Sequence, residues 1–166
     1  MIAWRTSGSI HMLVQRCTLD QHRLIVPVSL TKPAFESGSF SASFSQNRYR
    51  ALVDTGAQRT VATRSVIASQ NLMRTGHTQF KGIHEPRTHT RYLAAIGLWA
   101  RRIDQADSSA AYEQAEQTLF SIREPIEIVN MDDNSNFDLI LGFDVLKNFS
   151  FSFDQDTRIF QLAVAQ

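Results

Sequence analysis

Short runs in which apolar and polar residues alternate fill most of this chain. Leu24, Val26, Val28 and Leu30 alternate with Ile25, Pro27 and Ser29, the period of two that a half-buried strand imposes. Pro27 marks an edge or a bulge, because proline cannot donate to a ladder. The pattern predicts strands over Ile10 to Leu19 and His22 to Leu30, with Asp20-Gln21 as the turn between them. Thr31 to Gly38 reads as a loop, and Ser39 to Phe44 and Tyr49 to Val53 as further strands. Thr78 to Ile83 and His89 to Trp99 read as a hairpin about Glu85-Pro86-Arg87. Pro125 to Val129 and Phe137 to Leu141 follow as strands, and Phe149 to Phe153 with Arg158 to Val164 as a last hairpin. The period changes at Thr63 to Leu72, where Val66, Ile67 and Leu72 give one apolar helical face that Thr63 is placed to cap. Asp144 to Asn148 is a second short helix, with Asp144 as its cap. Asp104 to Thr118, rich in Ala and Gln, fits either a short surface helix or a mobile insertion. The resulting expectation is a mainly β fold: residues 1–21 form an N-terminal extension that is itself a strand candidate, and residues 22–166 form one domain.

Composition narrows the class. Of 166 residues, 43% are hydrophobic and 20% charged, enough apolar content for a core and a poor fit to disorder, collagen or coiled coil. A formal charge of +1 lacks the domain-wide basic excess that nucleic-acid binding needs, and Arg101-Arg102 reads as a solvated strand end. Cys17 is the single cysteine; it excludes an intramolecular disulfide, suits a reducing compartment and reads as a small buried side chain. Met1 to Gly8 holds no apolar run of signal-peptide length, and no later run is long enough to span a bilayer. A soluble, cytoplasmic protein without a membrane partner is expected.

The chemistry concentrates in Tyr49-Arg50-Ala51-Leu52-Val53-Asp54-Thr55-Gly56-Ala57. An apolar strand runs straight into an acid, a hydroxyl, a glycine and a small residue. Asp is depleted in strands, so Asp54 at the end of one is either an Asx-type turn, with Gly56 supplying a positive φ, or a placed functional group. A second segment, Phe137-Asp138-Leu139-Ile140-Leu141-Gly142-Phe143-Asp144-Val145-Leu146, ends an apolar strand at Gly142 and passes directly into a helix.

Together the two segments resemble the retropepsin-like aspartic proteases. Leu52-Val53-Asp54-Thr55-Gly56-Ala57 is similar to that family's catalytic loop, and Ile140-Leu141-Gly142 to the strand that crosses behind it. Leu141 to Leu146 looks like bacterial retropepsin-like proteins and the retropepsin domain of DNA-damage-inducible ubiquitin-shuttle proteins. The resemblance spans residues 22 to 164 in pattern. It implies a retropepsin-like half-barrel with one or two short helices, completed by homodimerisation, and gives each matching residue a role. Asp54 would be the catalytic carboxylate, and Thr55 would brace the loop across a dimer axis. Gly56 would leave room beside the carboxylates, Ala57 would keep the site small, and Gly142 would let the crossing strand pack against the loop. Gly82, Ile83 and His84 stand where a substrate-covering flap begins, although His84-Glu85-Pro86-Arg87 replaces the usual glycines. Phe143 stands where retroviral enzymes often carry Arg.

The chemistry asks for two carboxylates, one ionised to take a proton from water and one protonated to donate to the scissile carbonyl. Two carboxylates sharing a site split their titrations, as in the aspartic-protease dyad that is the standard illustration. The chain has a single Asp-Thr-Gly, so a second copy must supply the other, most simply about a twofold axis. The expected activity is an aspartic endopeptidase acting on a peptide or protein substrate, with no cofactor and no metal. The alternative is a non-catalytic dimeric peptide-binding or scaffold protein on the same fold. His77, His84 and His89 lack compact zinc-ligand spacing and read as exposed hairpin residues. Phe149, Phe151 and Phe153 alternate with Ser150 and Ser152, giving a strand face that is either core or dimer surface.

Overall fold

The computed structural model describes residues 11–20, 23–36, 38–80, 87–104, 109–134, 136–154 and 159–165. The alternating N-terminal runs become β1 (His11–Asp20) and β2 (Arg23–Thr31), antiparallel neighbours at Leu19↔Leu24. In β2 the alternation works as expected: Leu24, Val26, Val28 and Leu30 are buried, while Ile25 and Pro27 are partly exposed. Ser29 is buried as well, and its hydroxyl is satisfied by Asn47 O at 2.6 Å and Trp99 Nε1 at 2.9 Å. Pro27 pairs with Arg50, and the ladder to the next neighbour begins only at Val28. The strand is thus locally an edge where the N–H is missing.

β3 (Ala34–Glu36) lies where a loop was expected, and it forms a small separate hairpin with β4 (Ser39–Ser41), the first half of the expected Ser39–Phe44 strand. Three residues are too few for β3 to show a period, and Phe35 and Phe40, 6.4 Å apart and tilted, close the pair. There follow β5 (Tyr49–Val53), β6 (Val61–Thr63) and α1 (Arg64–Ser69). The helix is shorter than expected, and Thr63 holds the N-cap position without a side-chain cap. A carboxylate from far along the chain does that work instead, Asp133 Oδ1 accepting from Ser65 N–H at 3.0 Å. β7 (Met73–Phe80) begins earlier than expected, and β8 (Arg87–Asp104) extends the His89–Trp99 run in both directions. The turn between them lies outside the described residues. α2 (Ser109–Gln114) and β9 (Gln117–Ser121) occupy the stretch left open between helix and insertion. Tyr112 of α2 packs with Val14 and Ala163, and Arg101 lies 5.2 Å from its ring while donating to the Glu113 and Ala115 carbonyls. The chain ends with β10 (Ile126–Met131), β11 (Leu139–Leu141), α3 (Phe143–Leu146), β12 (Ser150–Asp154) and β13 (Ile159–Ala165). The fold is mainly β with three short helices among the described residues, against the one or two expected.

One sheet runs in the order β12-β13-β1-β2-β5-β11-β6-β10-β8-β7, and β9 also pairs β8. Because β8 returns to pair with β2 at Val28↔Leu98 to Thr31↔Ala95, strands β2, β5, β11, β6, β10 and β8 close into a ring. Its interior holds Val26, Val28, Leu30, Ala51, Ala62, Ile96, Ile128, Leu139 and Leu141, with Val66 and Ile67 of α1 and Val145 and Leu146 of α3 packed against them. Each fully buried Leu, Ile or Val contributes about 1.5–3 kcal/mol by leaving water. No helix among the described residues is long and apolar enough to cross a membrane.

Candidate active site

Consecutive strands normally pair; β5 and β6 do not. Between them runs β11, parallel to β5 (Leu139↔Ala51 to Leu141↔Val53) and antiparallel to β6 (Leu139↔Ala62, Ile140↔Val61). The loop from Asp54 to Thr60 therefore arches over the end of a strand that arrives from nearly ninety positions downstream. Asp138 pins the entry of that strand. Its backbone N–H donates to Arg50 O at 2.8 Å, its carboxylate accepts from Arg50 N–H at 2.7 Å, and its carbonyl accepts from Thr63 N–H at 2.9 Å.

At the other end of β11 the loop is held on both limbs. Asp54 N–H donates to Leu141 O at 3.1 Å, and Phe143 N–H donates to Ala57 O at 2.7 Å. Gly142 is buried against the loop so closely that a Cβ would lie 2.5–2.9 Å from the backbone of Arg59. Only a residue without a side chain permits that approach. The Asp54 carboxylate is partly exposed and accepts from Gly56 N–H at 2.9 Å. The Gly56 N–H to Asp54 Oδ1 bond and the Ala57 N–H to Asp54 O bond at 3.3 Å are those of the Asx-type turn considered above, but Gly56 does not supply it with a positive φ. A Cβ there would sit 3.2 Å from Asp54 Oδ1, tighter than ordinary contact and in the path of the carboxylate. Thr55 and Gly56 are exposed and Ala57 is half-buried, so the tip of the loop faces outward.

Two residues hold this arrangement that the sequence pattern did not single out for it. Thr60, fully buried, donates its hydroxyl to Asp144 Oδ1 at 2.7 Å and its N–H to the same carboxylate at 3.0 Å, while its oxygen accepts from Gly142 N–H at 3.0 Å. Asp144 lies in the first turn of α3, whose N-cap is Gly142 without a side-chain bond. Asp144 is therefore not the N-cap residue, although its carboxylate accepts from Val145 N–H in the first turn at 2.9 Å; the same carboxylate also locks the far limb of the Asp54 loop to the segment behind it. The only visible signal was an acid two residues after the strand-ending glycine.

The structure thus brings Asp54, Thr55, Gly56, Ala57 and Gly142 into one unit. Gly82, Ile83 and His84 lie outside the described residues, as do the turn residues Glu85 and Pro86. His77 is exposed beside Arg74 Nη2, and His89 Nδ1 faces Asn130 O at 3.1 Å. Among the described residues, no group of three or more His, Cys, Asp and Glu is placed to hold a metal. Phe143, next to the loop, is 53% exposed.

No family model matches the chain, and neither does any curated protein. Among solved structures it is similar to a retropepsin-like aspartic protease from Rickettsia conorii, with 12% identity, a TM-score of 0.49 and coverage of 99% of this chain and 98% of that one. It is also similar to the retroviral protease-like domain of Ddi1 from Leishmania major, with 15% identity, a TM-score of 0.40 and coverage of 87% and 94%.

Proposed function

We propose that this protein is an aspartic endopeptidase whose active site forms between the Asp54 carboxylates of two identical chains. The observation that carries the reading is the Asp54 loop: it is locked from behind by β11, Gly142 and the Thr60–Asp144 bonds, yet presents a partly exposed carboxylate and an exposed Thr55 outward. Rigid backing with an open face suits a catalytic group that must meet a second one with little freedom to drift. The β7–β8 hairpin supplies the lid over an extended peptide. One carboxylate takes a proton from a water lying between the pair, and the oxygen adds to the scissile carbonyl while the protonated partner donates to the carbonyl oxygen. Collapse of the tetrahedral intermediate breaks the C–N bond and delivers a proton to the departing amine. Thr55 of each chain braces the two loops across the axis. Cys17, with no intramolecular partner available, is consistent with a cytoplasmic setting.

The test is cleavage of a peptide library at about pH 4 to 7, with a statine-type inhibitor as control. Asp54→Asn is expected to lower kcat by at least about 10²-fold while leaving secondary structure and sedimentation unchanged. Full activity in that variant removes Asp54 from the site. Peptide binding between two chains without cleavage under any condition favours the scaffold reading instead.

A further inference from the structure

Three charged side chains meet where the β7–β8 hairpin joins the Asp54 loop. Glu127 of β10 accepts from Arg91 Nη1 of β8 at 2.8 Å, and the same carboxylate oxygen lies 3.8 Å from Arg59 Nη1. Arg59 belongs to the loop itself, and its backbone is the surface on which Gly142 rests. The three side chains are 31–43% exposed, so solvent weakens their attraction without abolishing it.

The route of Arg91 is built into the hairpin. β7 carries an irregularity between Arg74 and Gly76, with Gly76 opposite Arg91 at a φ of +152°. A Cβ on residue 76 would lie 2.9 Å from Arg91 Nη2. Glycine inside a strand marks a bulge or a close approach, and here it marks both. Arg91 Nε is buried with no hydrogen-bond partner among the described residues, a cost that a freely solvated surface pair would not carry.

We propose that Glu127, acting through Arg91 and Arg59, is a positioning residue that fixes the root of the β7–β8 hairpin to the Asp54 loop. The inference rests on reading that hairpin as the lid of a peptide cleft. From Arg91 to the start of β8 at Arg87 the strand runs on the order of 13 Å, so a rotation of about 10° at the root moves the distal end by about 2 Å. A lid displaced that far loses its contacts with an extended peptide. Neutralising Glu127 also leaves two guanidinium groups without the anion between them, which weakens the tie between hairpin and loop beyond the backbone pairing of Arg91 with Val129.

Glu127→Gln keeps the shape and removes the charge; Glu127→Asp keeps the charge. In peptide cleavage, Glu127→Gln is expected to raise KM about five- to tenfold with kcat within about twofold of wild type, and Glu127→Asp to recover most of the loss. Amide hydrogen exchange is expected to quicken in residues 76–80 and 87–91 and to stay unchanged in β5 and β11. Unchanged KM with unchanged hairpin exchange overturns the proposal, as does faster exchange spread evenly over all strands. Should the wild-type chain cut no peptide, the proteolytic reading fails, while the exchange pattern still decides whether Glu127 holds the hairpin.

Discussion

A methyl group on residue 142 would have to occupy space that the Arg59 backbone already fills, with atoms as near as 2.5 Å. Backbone cannot swing aside as a side-chain end can, so the loop itself must move. Gly142→Ala is expected to destabilise the fold by about 1–3 kcal/mol, seen as a lower urea midpoint at unchanged m-value, and to reduce any cleavage by displacing Asp54. Asp144 offers a second test at the same scale. Asp144→Ala strips the partner from the buried Thr60 N–H and hydroxyl, at a cost of about 1–3 kcal/mol. Asp144→Asn, which keeps one acceptor oxygen, should cost less in the same denaturation series.

Among the elements, α1 shows how a short helix survives without its own cap. Six residues are too few for intrinsic stability; the helix is held by Val66 and Ile67 in the core and by Asp133 on Ser65 N–H. Hydrogen bonds from the Ser65 backbone and side chain, with Arg64 nearby, hold the Asp133 carboxyl below its ordinary value of 3.8. The sign follows from that direction. A depressed folded-state value means that the contribution is present above the unfolded-state value near 3.8 and is lost as pH falls through the lower folded-state value. The difference in urea midpoint between wild type and Asp133→Ala should therefore stay constant from neutral pH down to about 5 and shrink below about 4. A difference that grows on acidification would contradict the assignment. Arg64–Asp132 at 2.9 Å is largely exposed on both sides and adds little.

For the whole molecule, the decisive fact is that the barrel closes within one chain: β8 reaches β2 without help. Folding and assembly should therefore separate. With the active site shared between two chains as proposed, cleavage per chain should fall on dilution while far-ultraviolet circular dichroism keeps its β signal. Loss of both together would mean that the chain cannot hold its fold alone. A strictly first-order dependence of activity on concentration down to a demonstrated monomer would remove the shared site.

What was legible in the sequence was local. Alternation placed β2, β5, β10 and β11 within a few residues, because a strand with one buried face prints its period on its own residues. The two motifs, Asp54-Thr55-Gly56-Ala57 and Ile140-Leu141-Gly142, were legible because their special backbone demands select residue types. The proposal of a second chain rests on the chemistry of the single Asp-Thr-Gly. Strands of three residues such as β3 and β6 left no period to read. The closed ring, the passage of β11 between β5 and β6, the Thr60–Asp144 lock across 84 positions and the joint of Arg59, Glu127 and Arg91 were settled only in three dimensions. A residue's pattern records whether it is buried, but which distant residue it meets is fixed by strand order and register, and these depend on the packing of the whole sheet.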